Sequence, residues 1–264
     1  MNKIVHGQSM LTNSIRIQIC FLAVLQFMVV QSSLESQVKS PDHFTFVRIR
    51  YNMGEYSLGF LNRYGSLSWE VDHPDAEEHF MEALARGTSV PVAQKAIAHS
   101  LTDSQLFEYS FAYIVEVGFL RLNDVEAEAL REWLLRGGFL LVDDFHGILE
   151  WEKFMIQIRK VFPERPVKQI PSDHPVFHCY YDFDKYPQVP GLGSIINGRN
   201  YEKGGKVPQC RGIFDEQGRL MVLINHNVDL GDSWEHAGDY RYPRDLSLLG
   251  YQLGINYVVY ALTH

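Results

Sequence analysis

Three stretches concentrate side chains able to do chemistry. Gly137–Gly147 reads GGFLLVDDFHG and supplies Asp143, Asp144 and His146. Ser172-Asp173-His174-Pro175 supplies His174, with His178 close behind. Asn225–Glu235 reads NHNVDLGDSWE and supplies Asn225, His226, Asn227, Asp229, Asp232, Trp234 and Glu235, with His236 and Asp239 just after. Asp72 and His73 form a smaller polar group ahead of a helix.

Aspartate, glutamate and histidine in irregular segments are suitable donors for a divalent cation. Asp229, Asp232 and Glu235 are spaced three apart, so a short helical turn would present them on one side. No HExxH, EF-hand loop or CxxC accompanies them. The alternative reading of the same loop is structural, with Asp and Asn side chains capping backbone donors.

Acyl transfer by a serine or cysteine nucleophile is disfavoured. No GxSxG occurs, and the elbow after Phe139–Val142 offers only Phe145 and His146. Asp143 and Asp144 are chain neighbours, so in an extended segment they point to opposite faces and share no proton. One is expected to cap the following helix and the other to face a cleft. Tyr180, Tyr181, Phe183, Tyr186 and Tyr201 either line a sugar-like or peptide groove or pack a long loop onto its core.

The surrounding elements are those of an α/β sheet. His43–Tyr51 alternates and predicts a first strand. Tyr56–Ser68 reads as an irregular loop. Asp75–Arg86 is a helix with acidic Asp75, Glu77 and Glu78 in its first turn, where the helix dipole favours them. Ala93–Leu101 fits either a helix or a strand edge, and Asp103–Tyr109 a short helical turn. Phe111–Val117 is nearly continuous in apolar residues, as a strand covered on both faces should be. Asn123 and Glu126 form a capping box for the next helix, whose apolar face carries Val125, Ala129, Leu130, Trp133 and Leu134. The strand Phe139–Val142 and the helix Ile148–Phe162 follow, which implies parallel pairing. A proline-rich irregular section spans about 165–210. Residues 211–226 read as a hairpin turning at Asp215–Gly218, and Leu246–Leu262 as a closing helix. In such sheets ligands sit beyond the carboxyl ends of the strands, where Asp143, Asp144 and His146 fall.

The chain has 264 residues, 46% of them hydrophobic, with a formal net charge of −8. That suffices for one sizeable core. The acidic balance and the lack of a Lys/Arg-rich run argue against nucleic-acid binding. Lys3 and Arg16 precede the apolar run Ile17–Val30, with Ser32 and Ser33 after it. This is the layout of an export signal, so residues 1–32 are expected to be a cleaved signal peptide or, alternatively, an uncleaved anchor. The remainder is then exported, to the periplasm. Past this leader only Cys179 and Cys210 remain, either paired or as two separate thiols.

Several motifs in order carry a resemblance. Trp69…Asp72-x-Pro74, Leu130…Gly137-Gly138-Phe139-Leu140…Asp143, Asp173-His174-Pro175-Val176-Phe177, Gly218-Arg219…Asn225-His226-Asn227-x-Asp229 and Leu253-Gly254-Ile255-Asn256-Tyr257…Tyr260-Ala261-Leu262-Thr263 resemble the bacterial family called domain of unknown function 4159. The resemblance implies a class I glutamine amidotransferase-like fold, related to flavodoxin-like sheets, in a protein often exported or membrane-tethered. True amidotransferases need a cysteine at the elbow, where this chain has Phe145-His146-Gly147, so glutaminase activity is not expected.

The expectation is therefore a three-layer α/β sandwich with a mostly parallel sheet over 43–264 and an insertion at about 165–210. Its function would be to bind a small polar ligand or an envelope protein partner without catalysis. The alternative is a metal-assisted hydrolase using Asp143, Asp144, His146 and His226 as catalytic candidates. Asp72, His174, Asn225, Asn227, Asp229, Asp232, Trp234 and Glu235 are the ligand-binding candidates, and a divalent metal is the cofactor that would fit them.

Overall fold

The structure, a computed structural model, describes residues 42–264. The expected leader, residues 1–32, lies outside the described residues. The strands are β1 (Val47–Arg50), β2 (Ile97–Ser100), β3 (Phe111–Val115), β4 (Phe139–Asp143), β5 (Lys168–Gln169), β6 (Gln209–Phe214) and β7 (Leu220–His226). They form one sheet in the order β2-β1-β3-β4-β7-β6-β5. The pairs β2–β1, β1–β3, β3–β4 and β4–β7 are parallel, and β6 pairs antiparallel with both β7 and β5. The expected hairpin is thus β6–β7, and β4 lies at the centre of the sheet.

The helices are α1 (Tyr56–Tyr64), α2 (Asp75–Gly87), α3 (Asp124–Leu135), α4 (Gly147–Val161), α5 (Leu192–Ile196), α6 (Leu230–Glu235) and α7 (Arg244–Thr263). Strand alternation divides the core between the two faces of the sheet. Phe139 and Leu141 of β4 pack with Phe80 of α2, Trp234 of α6 and Tyr257 of α7. Leu140 and Val142 pack on the other side with Trp133 of α3 and Phe154 of α4. The result is three layers, α2/α6/α7, the sheet, and α1/α3/α4. Both faces of β3, β4 and β7 are buried, which explains their unbroken apolar runs.

The local signals hold where a backbone donor has a partner close in sequence. Asn123 Oδ1 accepts from Glu126 N at 2.9 Å and Glu126 Oε2 from Asn123 N at 2.9 Å, completing the capping box of α3. Val125 is exposed rather than facing the core, because it precedes the stripe made by Ala127, Leu130 and Trp133.

Residues 56–64 depart from the expected loop. They form α1, closed by Gly65 in the left-handed region at φ 78°. Its apolar residues lack helical spacing because Leu58 and Leu61 face solvent, while Phe60 anchors it against Phe119 at 5.0 Å. The ambiguous stretch 93–101 becomes the edge strand β2. The section 165–210 contains β5, a 3-10 turn at Pro175–Phe177, α5 and the first two residues of β6, and is otherwise irregular. Cys179 and Cys210 are separate free thiols. Among the described residues no helix is long and apolar enough to cross a membrane.

Candidate functional site

Three adjacent strands end in acidic residues. Glu116 follows β3, Asp144 follows β4 and Asp229 follows β7. Glu116 and Asp144 are left-handed, at φ 50° each, so the chain turns sharply off the sheet at both positions. Asp72, also left-handed at φ 62°, approaches from the segment before α2. Glu202 and Lys203 arrive from the irregular section.

Asp143 is an anchor. It is fully buried and accepts from Tyr113 Oη at 2.8 Å, Asn225 Nδ2 at 3.0 Å and Leu230 N at 2.8 Å. Asn225 Oδ1 in turn accepts from Tyr186 Oη at 2.7 Å and Tyr257 Oη at 3.2 Å. Burial pushes the Asp143 carboxyl up to about 6, against the pull of the Tyr113 and Asn225 donors. Its role is to hold the start of α6 and the end of β7 against β4. The helix that follows Asp143 in sequence is capped from elsewhere. Gly147 N donates to Asn227 Oδ1 at 2.9 Å, and His146 N to Glu150 Oε2 at 2.7 Å. The expectation that Asp143 or Asp144 caps α4 is corrected on this point. A carboxylate at a strand end reaches the helix packed across the sheet face more readily than the one its own backbone turns into.

Asp144 Oδ1 lies 3.2 Å from His146 Nε2, and His146 is 1% exposed. Burial draws the His146 proton affinity down, but the Asp144 hydrogen bond and charge outweigh it, and the ring ends above its ordinary value. Its Nδ1 is buried without a partner. Gly147 must turn at φ +70°, and a Cβ there would lie 2.2 Å from the Lys203 carbonyl oxygen. This close approach brings Lys203 Nζ to 2.8 Å from Glu150 Oε1 and 3.6 Å from Glu116 Oε2.

The remaining acids converge with few donors: Asp229 Oδ1 accepts from Asp232 N at 2.8 Å, Asp232 Oδ2 from Leu192 N at 2.6 Å, and His236 Nε2 lies 3.4 Å from Asp232 Oδ1. One carboxylate oxygen each of Asp72, Asp229 and Asp232 lie within 4.8 Å of one another, and a second such group joins Asp232, Glu235 and His236. Glu202 Oε1, Asp229 Oδ2 and Asp232 Oδ2 all crowd the bare α-carbon of Gly191, each within 2.8 Å of where a Cβ would stand. Asp72 Oδ2 is buried and meets no hydrogen-bond donor. Burial first, then Asp232 and Asp144, hold the Asp72 carboxyl well above the ordinary range. Burial, then Asp144 and Asp232, do the same to Asp229, and burial leads the rise at Glu202 and Glu235. Two carboxylates about 5 Å apart repel by about 3 kcal/mol at an effective dielectric of about 20. Repulsion of that size, added to burial, favours the protonated form of these carboxyls.

Of the ligand-binding candidates, Asp72, Asp229, Asp232 and Glu235 come together here. Asn225 and Asn227 lie beneath as supports. Trp234 is a core residue, 4.5 Å from the Phe80 ring. His174 packs at a tilt against Tyr260, whose hydroxyl meets Leu220 N at the start of β7, so it sits at the opposite, amino end of the sheet. His226 faces the other side of β7 from Asn225. Its Nε2 donates to the Gly147 carbonyl at 3.0 Å, its Nδ1 accepts from Arg211 at 3.2 Å, and burial lowers it to about 4. It is a neutral strut between α4 and β6, apart from the acidic group.

Glu116, Glu150, Glu202 and Lys203 were not singled out in sequence. Glu116 carried a signal, since it ends an apolar strand run as Asp143 and Asp144 do. Glu202 and Lys203 carried none, because the irregular section has no period to place them.

The family model for a domain of unknown function, DUF4159, matches residues 45–262. No curated protein matches the chain. The chain belongs to the DUF4159 family.

Proposed function

We propose that this member of the DUF4159 family is a binding domain that holds a divalent cation at the carboxyl edge of its sheet and, through it, a small polar ligand. Asp72, Asp229 and Asp232 supply the oxygens, and Glu202 and Glu235 border them. The observation that carries this reading is the buried Asp72 Oδ2, which has no donor and belongs to a trio of carboxylates whose oxygens lie within 4.8 Å. All-oxygen donors suit Ca²⁺, Mg²⁺ or Mn²⁺. The order β2-β1-β3-β4-β7 supports an amidotransferase-like, flavodoxin-related sheet, whose ligands gather beyond the strand ends. The basic residues ahead of the apolar run Ile17–Val30 support export, which N-terminal sequencing of the mature protein tests, an intact Met1 counting against it.

Chelator-treated protein should gain stability on adding one of these cations, by about 2.7 kcal/mol at a hundredfold excess over the dissociation constant. Calorimetric titration should give saturable binding that Asp72→Asn abolishes. A melting curve unmoved by all three cations would sink the proposal.

A second reading is metal-assisted hydrolysis. Asp232 belongs to both carboxylate groups, as a residue bridging two cations would. His146, paired with Asp144, would then serve as the proton acceptor. Turnover of phosphate or carboxylate esters in Mn²⁺, lost in His146→Gln with cation binding retained, supports it. No turnover of either ester class removes it.

A further inference from the structure

The opposite face of the sheet carries a second feature that the acidic edge does not use. Helix α4 and the β6 side enclose a groove of about 540 Å³ lined by Trp151, Met155, Ile158, Phe162, Arg211 and Ile213. One wall is apolar, and the charged lining is Arg211, Arg159, Arg165 and Glu164, three guanidiniums against one carboxylate. Arg211 Cζ stands 4.2 Å over the Trp151 ring. Arg211 Nη1 donates to His226 Nδ1 at 3.2 Å and Nη2 to Gln209 Oε1 at 3.1 Å. Both acceptors are neutral, since His226 Nε2 is committed to the Gly147 carbonyl at 3.0 Å.

Among the described residues no carboxylate pairs with Arg211. That is notable in a chain of formal charge −8, whose fully buried arginine, Arg48, is matched by Glu77. Burial lowers the Arg211 proton affinity, so the charge is already partly desolvated. Two further cations stand at the rim. Arg159 makes no ion pair among the described residues, and Arg165 has only Glu216, which is 80% exposed. A guanidinium held by ring stacking and two neutral acceptors keeps its planar fork in place for a carboxylate. A groove of this size matches a small organic molecule, whose body would lie along the apolar wall.

We propose that this groove binds a small organic carboxylate with an apolar body, its carboxylate on Arg211 and its body along Trp151, Met155, Ile158 and Phe162. The site is independent of the cation cluster.

The test is titration of the full-length protein with octanoate, read by calorimetry and indole fluorescence. Octanoate should bind saturably and change the emission. 1-Octanol, which lacks the charge, and acetate or inorganic phosphate, which lack the body, should each bind at least about tenfold more weakly, a difference of about 1.4 kcal/mol. Arg211→Gln should weaken octanoate at least about tenfold. Met155→Trp, which fills the groove without touching Arg211, should abolish binding, and it decides the matter if Arg211→Gln fails to fold by circular dichroism. Absence of saturable octanoate binding overturns the proposal. So does equal binding of octanol or phosphate, or unchanged binding in a folded Arg211→Gln or Met155→Trp. Cation titrations in the same variants should be unaltered, which keeps this outcome separate from the fate of the acidic edge.

Discussion

Asn225 Nδ2 donates to Asp143 Oδ1 at 3.0 Å, tying the end of β7 to the end of β4 inside the protein. The carboxylate that looks most available in the sequence is thereby committed to structure. Its other oxygen holds Leu230 N and Tyr113 Oη. Asp143→Ala leaves these buried donors unmet and should cost about 3 kcal/mol or more. Tyr113→Phe, which removes one donor, should cost about 1 kcal/mol. Urea denaturation measures both, and a loss for Asp143→Ala below that for Tyr113→Phe would contradict the anchoring role.

Asp72→Asn should have opposite effects on stability and binding. It removes a buried charge that its neighbours repel, so the cation-free protein should melt higher at pH 7. It also removes a ligand oxygen, so added Ca²⁺ or Mn²⁺ should no longer raise the melting temperature. Differential scanning calorimetry with and without cation checks both halves. A lower melting point in chelator would show that Asp72 is stabilising as it stands.

Stability in chelator should fall as pH rises from about 6.5 to 8. Asp72, Asp229 and Asp143 all have folded values above their unfolded ones, with Asp143 at about 6. In this window the native state binds more protons than the unfolded chain, so raising pH favours unfolding. Glu77 and His226, both lowered in the fold, work the other way, Glu77 toward the acid end and His226 between about 4 and 6.5, so the decline is read above that range. Saturating cation should remove the decline. Urea midpoints that rise between pH 6.5 and 8 in chelator would refute this.

The two histidines near the acidic edge should titrate apart. His226 is lowered to about 4 by burial and Arg211, while Asp144 raises His146 above its ordinary value. Ring-proton NMR should find His226 neutral through pH 5 and His146 still charged at pH 6.5. Asp144→Asn should bring the His146 value down and leave His226 where it was. A shared midpoint for the two rings would exclude the separate roles given them.

Much of the architecture was legible before any coordinates. Apolar runs at 111–117 and 139–142 identified two strands, the first as one covered on both faces. The Asn123–Glu126 box, the acidic first turn of α2 and the turn at Asp215–Gly218 located element ends, because each involves donors and acceptors only a few residues apart. The α1 helix was missed for the complementary reason. Its contribution to the core is essentially Phe60, too little to leave a periodic pattern.

The sequence by itself determined the main strands and helices other than α1 and β2, since period and capping are local properties of the chain. It also placed acidic residues at the carboxyl edge. Tertiary structure alone decided their roles. Asp143 and Asp144 are adjacent in sequence, yet one is saturated by donors from β3, β7 and α6 and the other faces His146. Asp72 and Asp232 are distant in sequence, yet their oxygens lie within 4.8 Å. Whether a buried carboxyl is an anchor or a vacant ligand depends on which donors reach it, and those donors come from elements that the spacing of residues along the chain does not connect.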